Sequence, residues 1–101
     1  MGEALNPLFH APLRLRTCSM LEGVQSMEFM AIRDRLGVSD SVLSKHLSLL
    51  RDAGVVEFSD LSKNGRRRVL VRMTRDGASA WRDYLAQLDE LIASGRRTES
   101  Q

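Results

Sequence analysis

With 101 residues, the chain has room for one domain with a modest hydrophobic core, and proteins of this size often gain stability by oligomerisation. Its formal net charge of +2 and its pI near 9.2 are only mildly basic, so the bulk charge does not by itself indicate a nucleic-acid partner. A single cysteine excludes an intramolecular disulfide. No stretch approaches the roughly 20 apolar residues that cross a bilayer, and the N-terminus shows no targeting pattern, which favours a cytoplasmic location.

The first predicted helix begins at Pro12, because proline suits the first helical turn, and it runs to about Leu21. Helical spacing places Leu15 and Cys18 on its buried side. Cys18 is expected to be a small packing residue rather than a redox sensor.

Two further amphipathic segments follow, separated by Gly37. Residues 27–36 form the first of them, with Ser26 as the predicted N-cap and with a shared apolar face. The residues of that face are Phe29, Ile32 and Leu36. The second segment, from about residue 38, ends at Gly54. Two helices joined by a tight turn with glycine are the layout of a helix-turn-helix.

The second helix of this pair has two contrasting sides. Leu43, Leu47 and Leu50 fall on one stripe at helical spacing. The opposite side is small, polar and basic. Small side chains let a helix approach a groove closely, and hydroxyl and ammonium groups bond phosphates and base edges. We therefore expect DNA contacts from this recognition helix at Ser39, Asp40, Ser41, Ser44, Lys45 and Ser48.

A β-hairpin is predicted directly after this helix. Residues 55–58 are rich in β-forming side chains, and Asn64-Gly65 is a strong turn signal because both turn positions need a positive φ. From residue 68 to residue 74, apolar Val69, Val71 and Met73 alternate with other residues, as in a half-buried strand. The helix pair followed by this hairpin makes a winged helix, in which the hairpin is the wing.

Positive charge is concentrated on this hairpin, since no acidic residue occurs between positions 61 and 75. An isolated basic triplet such as Arg66-Arg67-Arg68 is usually a solvated loop. Next to a recognition helix, the same triplet favours contact with the DNA backbone or the minor groove. The predicted wing contacts are Lys63, Asn64, Arg66, Arg67 and Arg68.

The last predicted helix covers residues 75–93 and carries a wide apolar stripe. At 1.5 Å per residue it would be about 28 Å long, more than a small winged helix needs for its own packing. Trp81 and Tyr84 are expected in the monomer core, and the free end at a dimer contact. The predicted dimer interface combines Leu88, Leu91 and Ile92 with the N-terminal Leu5, Leu8 and Phe9. Residues 1–101 would form a single domain, with a flexible tail from about residue 94.

These residues also carry a family resemblance. The run Ser39-x-Ser41-x-Leu43-Ser44-x-His46-Leu47-x-x-Leu50-x-x-Ala53-Gly54-Val55 resembles the recognition helix and first wing strand of small bacterial regulators of the arsenical-repressor (ArsR) and multiple-antibiotic-resistance-repressor (MarR) type. Residues 5–16 resemble the opening of a compact one-domain branch, and residues 70–77 its junction of wing and final helix. The resemblance implies a mainly α fold with a β-hairpin: a winged helix-turn-helix with N- and C-terminal dimerisation helices. It further implies a homodimeric, sequence-specific regulator of transcription that binds double-stranded DNA, with repression as the expected mode of action. It supplies no effector.

Enzyme and metal chemistry find little support. His10 and His46 are far apart in sequence, and no nucleophile with a neighbouring base or glycine-rich phosphate loop appears, so the chain is expected to be no enzyme. Metal-sensing members of the arsenical-repressor type carry a cysteine pair at the start of the recognition helix, or histidines and carboxylates in the terminal helix. Residues 38–44 contain no cysteine and no histidine follows His46, so no metal or other cofactor is expected. His46 should be a hydrogen-bonded residue at the edge of the core.

Winged helices also serve as protein-interaction or RNA-binding modules, and the sequence separates these alternatives only in part. A protein partner would favour an apolar outer face, for which only Val42 and Leu49 are candidates. An RNA partner would favour aromatics for base stacking, and the wing has only Phe58. DNA is the preferred partner, while the operator, the direction of regulation and any control by an effector or by Cys18 oxidation stay open.

Overall fold

The computed structural model describes residues 5–99, which form four helices and three strands. In chain order these are α1 (Pro12–Leu21), β1 (Met27–Glu28), α2 (Phe29–Leu36), α3 (Asp40–Asp52), β2 (Val56–Lys63), β3 (Arg66–Met73) and α4 (Arg75–Glu99). The predicted fold, mainly α with a β-hairpin, is confirmed. No helix in this part of the chain is long and apolar enough to cross a membrane.

The start of α2 differs from the sequence prediction. Met27 pairs with Val71 and Glu28 with Leu70, so these two residues form a short antiparallel strand instead of the first helical turn. The N-cap position is therefore Glu28, whose side chain makes no capping bond, and the prediction of Ser26 as the cap was wrong. A strand of two residues is too short to show an alternating pattern in the sequence.

The boundaries of α3 follow local chemistry. The Ser39 side chain accepts a hydrogen bond from the Val42 backbone N–H at 3.2 Å, which satisfies one of the free donors at the start of the helix. After the helix, Gly54 adopts a φ of +78°, which residues other than glycine rarely adopt. The chain then turns into β2.

The three strands form an antiparallel sheet in the order β1-β3-β2. The hairpin is longer than predicted, because β2 and β3 pair without interruption from Val56 opposite Met73 to Lys63 opposite Arg66. Its turn has φ values of 54° at Asn64 and 75° at Gly65, so the turn predicted from Asn-Gly is confirmed.

The core is formed by the helices and by strand residues such as Val56 and Val71. It includes three aromatic rings that pack together, two of which come from α4. The ring centroid of Phe9 lies 5.5 Å from those of Trp81 and Tyr84, and all three side chains are buried. The expected core placement of Trp81 and Tyr84 is confirmed. The prediction of Phe9 at a dimer interface was wrong, because its side chain is fully covered within one subunit.

Helix α4 continues to Glu99, beyond the end predicted at residue 93. Ser94 and Gly95 are polar or small, but neither interrupts the helical backbone here. The expected tail from residue 94 is therefore helical as far as residue 99, and residues 100 and 101 lie outside the described part of the chain.

Gly77 allows the first turn of α4 to lie directly against Val55. A Cβ atom at position 77 would lie 2.7 Å from the Val55 Cα and 2.8 Å from its carbonyl carbon, and would overlap its carbonyl oxygen. Backbone atoms cannot move aside as the end of a side chain can. We predict that Gly77→Ala lowers the free energy of unfolding by roughly 1–3 kcal/mol, measured by urea denaturation.

The matched control is Gly95→Ala in the same helix, where the added Cβ meets no atom within 4 Å. Its expected effect is a gain of up to about 1 kcal/mol, because alanine favours the helix over glycine. Equal stabilisation by both changes would contradict the close approach at Val55.

Candidate nucleic-acid interface

Helix α3 has one buried apolar side and one exposed polar side, as the sequence predicts. Leu43, Leu47 and Leu50 are buried in the core. On the outer side, Ser41, Ser44 and Lys45 are exposed and Ser48 is half-buried. The helix thus presents hydroxyl groups and one ammonium group on an open face. Val42 and Leu49, the predicted apolar exceptions, are also exposed.

The two residues at the start of this helix already have partners. The Ser39 hydroxyl caps the helix and lies 3.2 Å from the Ser41 hydroxyl oxygen. Asp40 accepts a hydrogen bond from Arg33 Nη1 at 2.8 Å, and Arg33 also contacts Asp34 at 3.0 Å. Hydrogen bonds to Asp40 and then Asp34 raise the pKa of Arg33. These contacts hold the start of α3 against α2. The positive charge of Arg33 also balances the negative charge of Asp40, which would otherwise repel DNA.

A groove of about 400 Å³ separates α3 from the hairpin. Its apolar lining comprises Phe29, Leu47, Phe58 and Val69, and its polar lining comprises Asp40, Ser44, Ser48 and Arg51. The Arg51 guanidinium lies 5.2 Å from the centre of the Phe58 ring, a cation–π contact. Phe58 is half-buried under this cation, an arrangement that disfavours free base stacking. Sequence reasoning missed Arg51, although its spacing of three residues after Ser48 places it near the polar side.

The wing carries ion pairs that the sequence prediction did not anticipate. Arg67 contacts Asp60 at 3.0 Å within the hairpin, and Arg68 contacts Glu28 of β1 at 2.7 Å. Arg72 pairs with Glu57 of the neighbouring strand. The acidic partners precede position 61, so they were outside the acid-free interval, but antiparallel pairing brings them beside the arginines. Much of the positive charge of the wing is therefore locally balanced.

The tip of the wing is less balanced. Arg66 is exposed, and no ion pair joins it to another residue in the range 5–99. Asn64 is exposed and builds the turn. The side chain of Lys63, a predicted contact, lies outside the described part of the structure, although its backbone belongs to β2. Arg66 is thus the wing arginine most available to an external phosphate.

The remaining residues predicted for a dimer contact lie at the ends of the molecule. Leu91 is 57% exposed and Ile92 is 45% exposed on the outer part of α4, whereas Leu88 packs partly against the core. Leu5 and Leu8 are half-buried beside the core. The structure thus leaves apolar surface uncovered on α4.

A family model described as winged helix DNA-binding domain matches residues 13–92. The chain belongs to this family. A relative in Methanocaldococcus jannaschii, the uncharacterized protein MJ0432, is 26% identical over 84 residues, which are 83% of this chain and 91% of that protein. The family match confirms the resemblance to small winged-helix regulators.

Solved structures share the fold of this winged-helix domain. The transcriptional regulator homologue protein from Pyrococcus horikoshii OT3 superimposes with a TM-score of 0.83 at 22% identity, covering 88% of both chains. A protein described as a transcriptional regulator of the MarR family, from Enterococcus faecalis V583, gives a TM-score of 0.72 at 18% identity, covering 93% of this chain and 84% of its own. HlyU from Vibrio cholerae N16961 gives 0.63 at 23% identity, covering 81% and 84%.

Within the winged-helix domain, His46 lies at the edge of the core, as predicted. Its Nδ1 atom is 3.0 Å from Nη1 of Arg14. Burial lowers the pKa of His46, and the positive charges of Arg14 and Lys45 lower it further. Among residues 5–99, no group of three or more histidine, cysteine or acidic side chains is placed to hold a metal ion.

Cys18 is fully buried in α1, as the packing interpretation predicts, and burial raises the pKa of its thiol to about 12. Only the thiolate reacts readily with alkylating reagents and oxidants. We predict that iodoacetamide at pH 8 modifies Cys18 on the order of a thousandfold more slowly in the native protein than in urea, because the raised pKa lowers the thiolate fraction by that factor. Mass spectrometry gives both rates, and similar rates in the two conditions would show that the thiol is accessible.

Proposed function

We propose that this protein is a sequence-specific regulator of transcription that binds double-stranded DNA as a homodimer and represses by occupying its operator. One observation carries the proposal: α3 buries its leucine stripe and leaves a row of small polar and basic side chains facing out beside a basic hairpin. The family match to a DNA-binding domain supports it. The protein acts by binding and not by catalysis.

In this proposal, α3 enters the major groove with its outer face towards the bases. Ser41, Ser44, Lys45 and Ser48 are the side chains best placed to contact base edges or nearby phosphates, because they lie along the outer face. Ser39 and Asp40 act mainly through their contacts within the protein, which fix the start of the helix.

The wing contacts the DNA backbone or the minor groove beside the recognition helix. Arg66 has no ion pair to another residue in the range 5–99, so it can contact a phosphate directly. Arg67 and Arg68 must each exchange a carboxylate partner for a phosphate. An exposed ion pair such as Arg67–Asp60 contributes only about 0–1 kcal/mol, so this exchange costs little. Arg68 also holds the wing to β1 and is therefore expected to be more important for shape.

Replacing Lys45 and Arg66 should give different defects. We expect Lys45→Ala to weaken binding by about 1–3 kcal/mol at particular operator positions and to relax the preference there, if Lys45 contacts a base. Arg66→Ala should weaken all duplexes similarly and should reduce the slope of log affinity against log salt by about 0.9, the value for one phosphate contact. Fluorescence anisotropy with a selected duplex and its point variants measures both effects.

The matched control is Arg82→Ala, which removes one positive charge from an exposed position of α4 outside the proposed DNA and dimer contacts. Its expected affinity and salt slope are those of the unmodified protein. Unchanged base preference in Lys45→Ala, together with unchanged preference after Ser41→Ala and Ser44→Ala, would show that α3 does not read the sequence.

The proposed dimer uses the outer part of α4 together with Leu5 and Leu8 of the N-terminal segment, which is defined as residues 5–10. The exposure of Leu91 and Ile92 supports this interface, since apolar surface of this kind is commonly covered by a partner. A two-fold axis would present two recognition helices about 34 Å apart, one turn of DNA, and the operator would be an imperfect palindrome.

Charges placed on this surface should separate the subunits. We predict that Leu91→Glu combined with Ile92→Glu gives a folded monomer in sedimentation velocity, because burying two carboxylates in an apolar contact is costly. The control combines Ser79→Glu with Ala86→Glu, two exposed positions on another face of α4, and should stay dimeric. A monomeric unmodified protein at micromolar concentration would contradict the interface.

A further inference from the structure

Arg14 of α1 connects two parts of the chain that are distant in sequence. Its Nε donates to the Leu8 carbonyl at 2.6 Å, and its Nη2 donates to the Pro7 carbonyl at 3.3 Å. Its Nη1 lies 3.0 Å from Nδ1 of His46. A guanidinium group carries only donors, so the imidazole nitrogen must accept this bond. His46 is therefore neutral here, with its proton on Nε2.

The two parts joined by Arg14 differ in role. Pro7 and Leu8 belong to the N-terminal segment, which is also held to α4 by a contact of 2.9 Å between His10 Nδ1 and the Tyr84 hydroxyl. His46 lies on α3, directly after the exposed Lys45. Arg14 thus links the segment at the proposed dimer contact to the helix that faces the DNA.

The charges around His46 make this link sensitive to protonation. Arg14 faces the imidazole from α1 and Lys45 acts from α3 itself, and no carboxylate in the described chain lies within ion-pair distance of it. Protonation would replace the acceptor at Nδ1 by a donor that faces a guanidinium. Because burial and both cations lower the pKa of His46 from 6.5, the bond is present at neutral pH and is lost as the pH falls through this lowered pKa.

We propose that Arg14 is a positioning residue for DNA binding, which fixes the recognition helix against the N-terminal segment through neutral His46 and releases it when His46 takes up a proton. This inference rests on the proposed DNA binding. Protonation has a second effect, because an added charge on α3 strengthens attraction to any phosphate backbone. The ratio of affinity for a selected duplex to affinity for random duplex separates the two effects, and it should fall on acidification.

The first experiment measures this ratio from pH 5 to pH 8 at constant salt, using a duplex selected from a random library by the unmodified protein. Arg14→Ala should lower the ratio about tenfold at pH 8, as expected for losing a hydrogen bond to a charged group, and should flatten its pH profile. Arg16→Ala is the matched control, since it removes the same charge from the same helix and loses only an exposed bond of 3.4 Å to the Arg35 carbonyl. This control should keep the ratio and its profile.

His46→Gln tests the role of the proton. Its side-chain carbonyl can accept the Arg14 bond but does not titrate in this range. The variant should keep a high ratio at pH 8 and should hold it down to pH 5. The variant keeps His10, the other histidine of the chain. If the specificity ratio of His46→Gln still falls on acidification, the pH dependence comes from groups other than His46 and the proposal is overturned.

The second experiment needs no DNA. NMR titration of the His46 ring should show its pKa moving up towards 6.5 in Arg14→Ala, because the positive charge with the larger effect on the ring has been removed. The pKa should be unchanged in Arg16→Ala. Hydrogen exchange of the backbone amides of residues 8–10 should become faster only in Arg14→Ala. An unchanged His46 pKa with unchanged exchange would overturn the link itself.

The two experiments separate the possible failures. If the unmodified protein binds no duplex, the proposed function is overturned and the DNA-binding role of Arg14 falls with it. If the unmodified protein selects a duplex and Arg14→Ala keeps the same specificity ratio, the role of Arg14 alone is overturned.

Discussion

The burial of the α3 leucine stripe is the constraint on which the rest of this structure depends. Leu43, Leu47 and Leu50 have nearly no exposed surface, so the helix can rotate about its axis only at a large hydrophobic cost. That fixed rotation determines which polar side chains face outwards, and it leaves His46 at the edge facing α1. The outer face is therefore a consequence of packing on the inner face.

Sequence reasoning recovered the elements whose limits depend on local chemistry. Pro12 at the start of α1, Gly54 after the end of α3 and the Asn64-Gly65 turn act within a few residues, and each stands where it was predicted. It failed where the deciding interaction is distant. Strand β1 exists only because β3 lies beside it, and Phe9 is buried only because α4 supplies Trp81 and Tyr84.

The same distinction applies to the candidate site. The outer residues of α3 were predictable from helical spacing, because a helix fixes the direction of each side chain. The charge balance of the wing was not, since the partners of Arg68 and Arg72 come from other strands. An acid-free interval in the sequence is therefore not an acid-free surface in the fold. Arg14 shows the same limit, as its contacts span 6 and 32 positions along the chain.

The hairpin extends well beyond the core that anchors it. Val56 and Val71 are buried at its inner end, whereas residues 59–62 and 64–67 are exposed. The outer half is consequently held by strand pairing and exposed ion pairs rather than by packed side chains. Substitutions there should alter contacts with a binding partner and have little effect on the stability of the fold. The outer half of the hairpin can therefore change in sequence, and with it the binding preference, while the scaffold is retained.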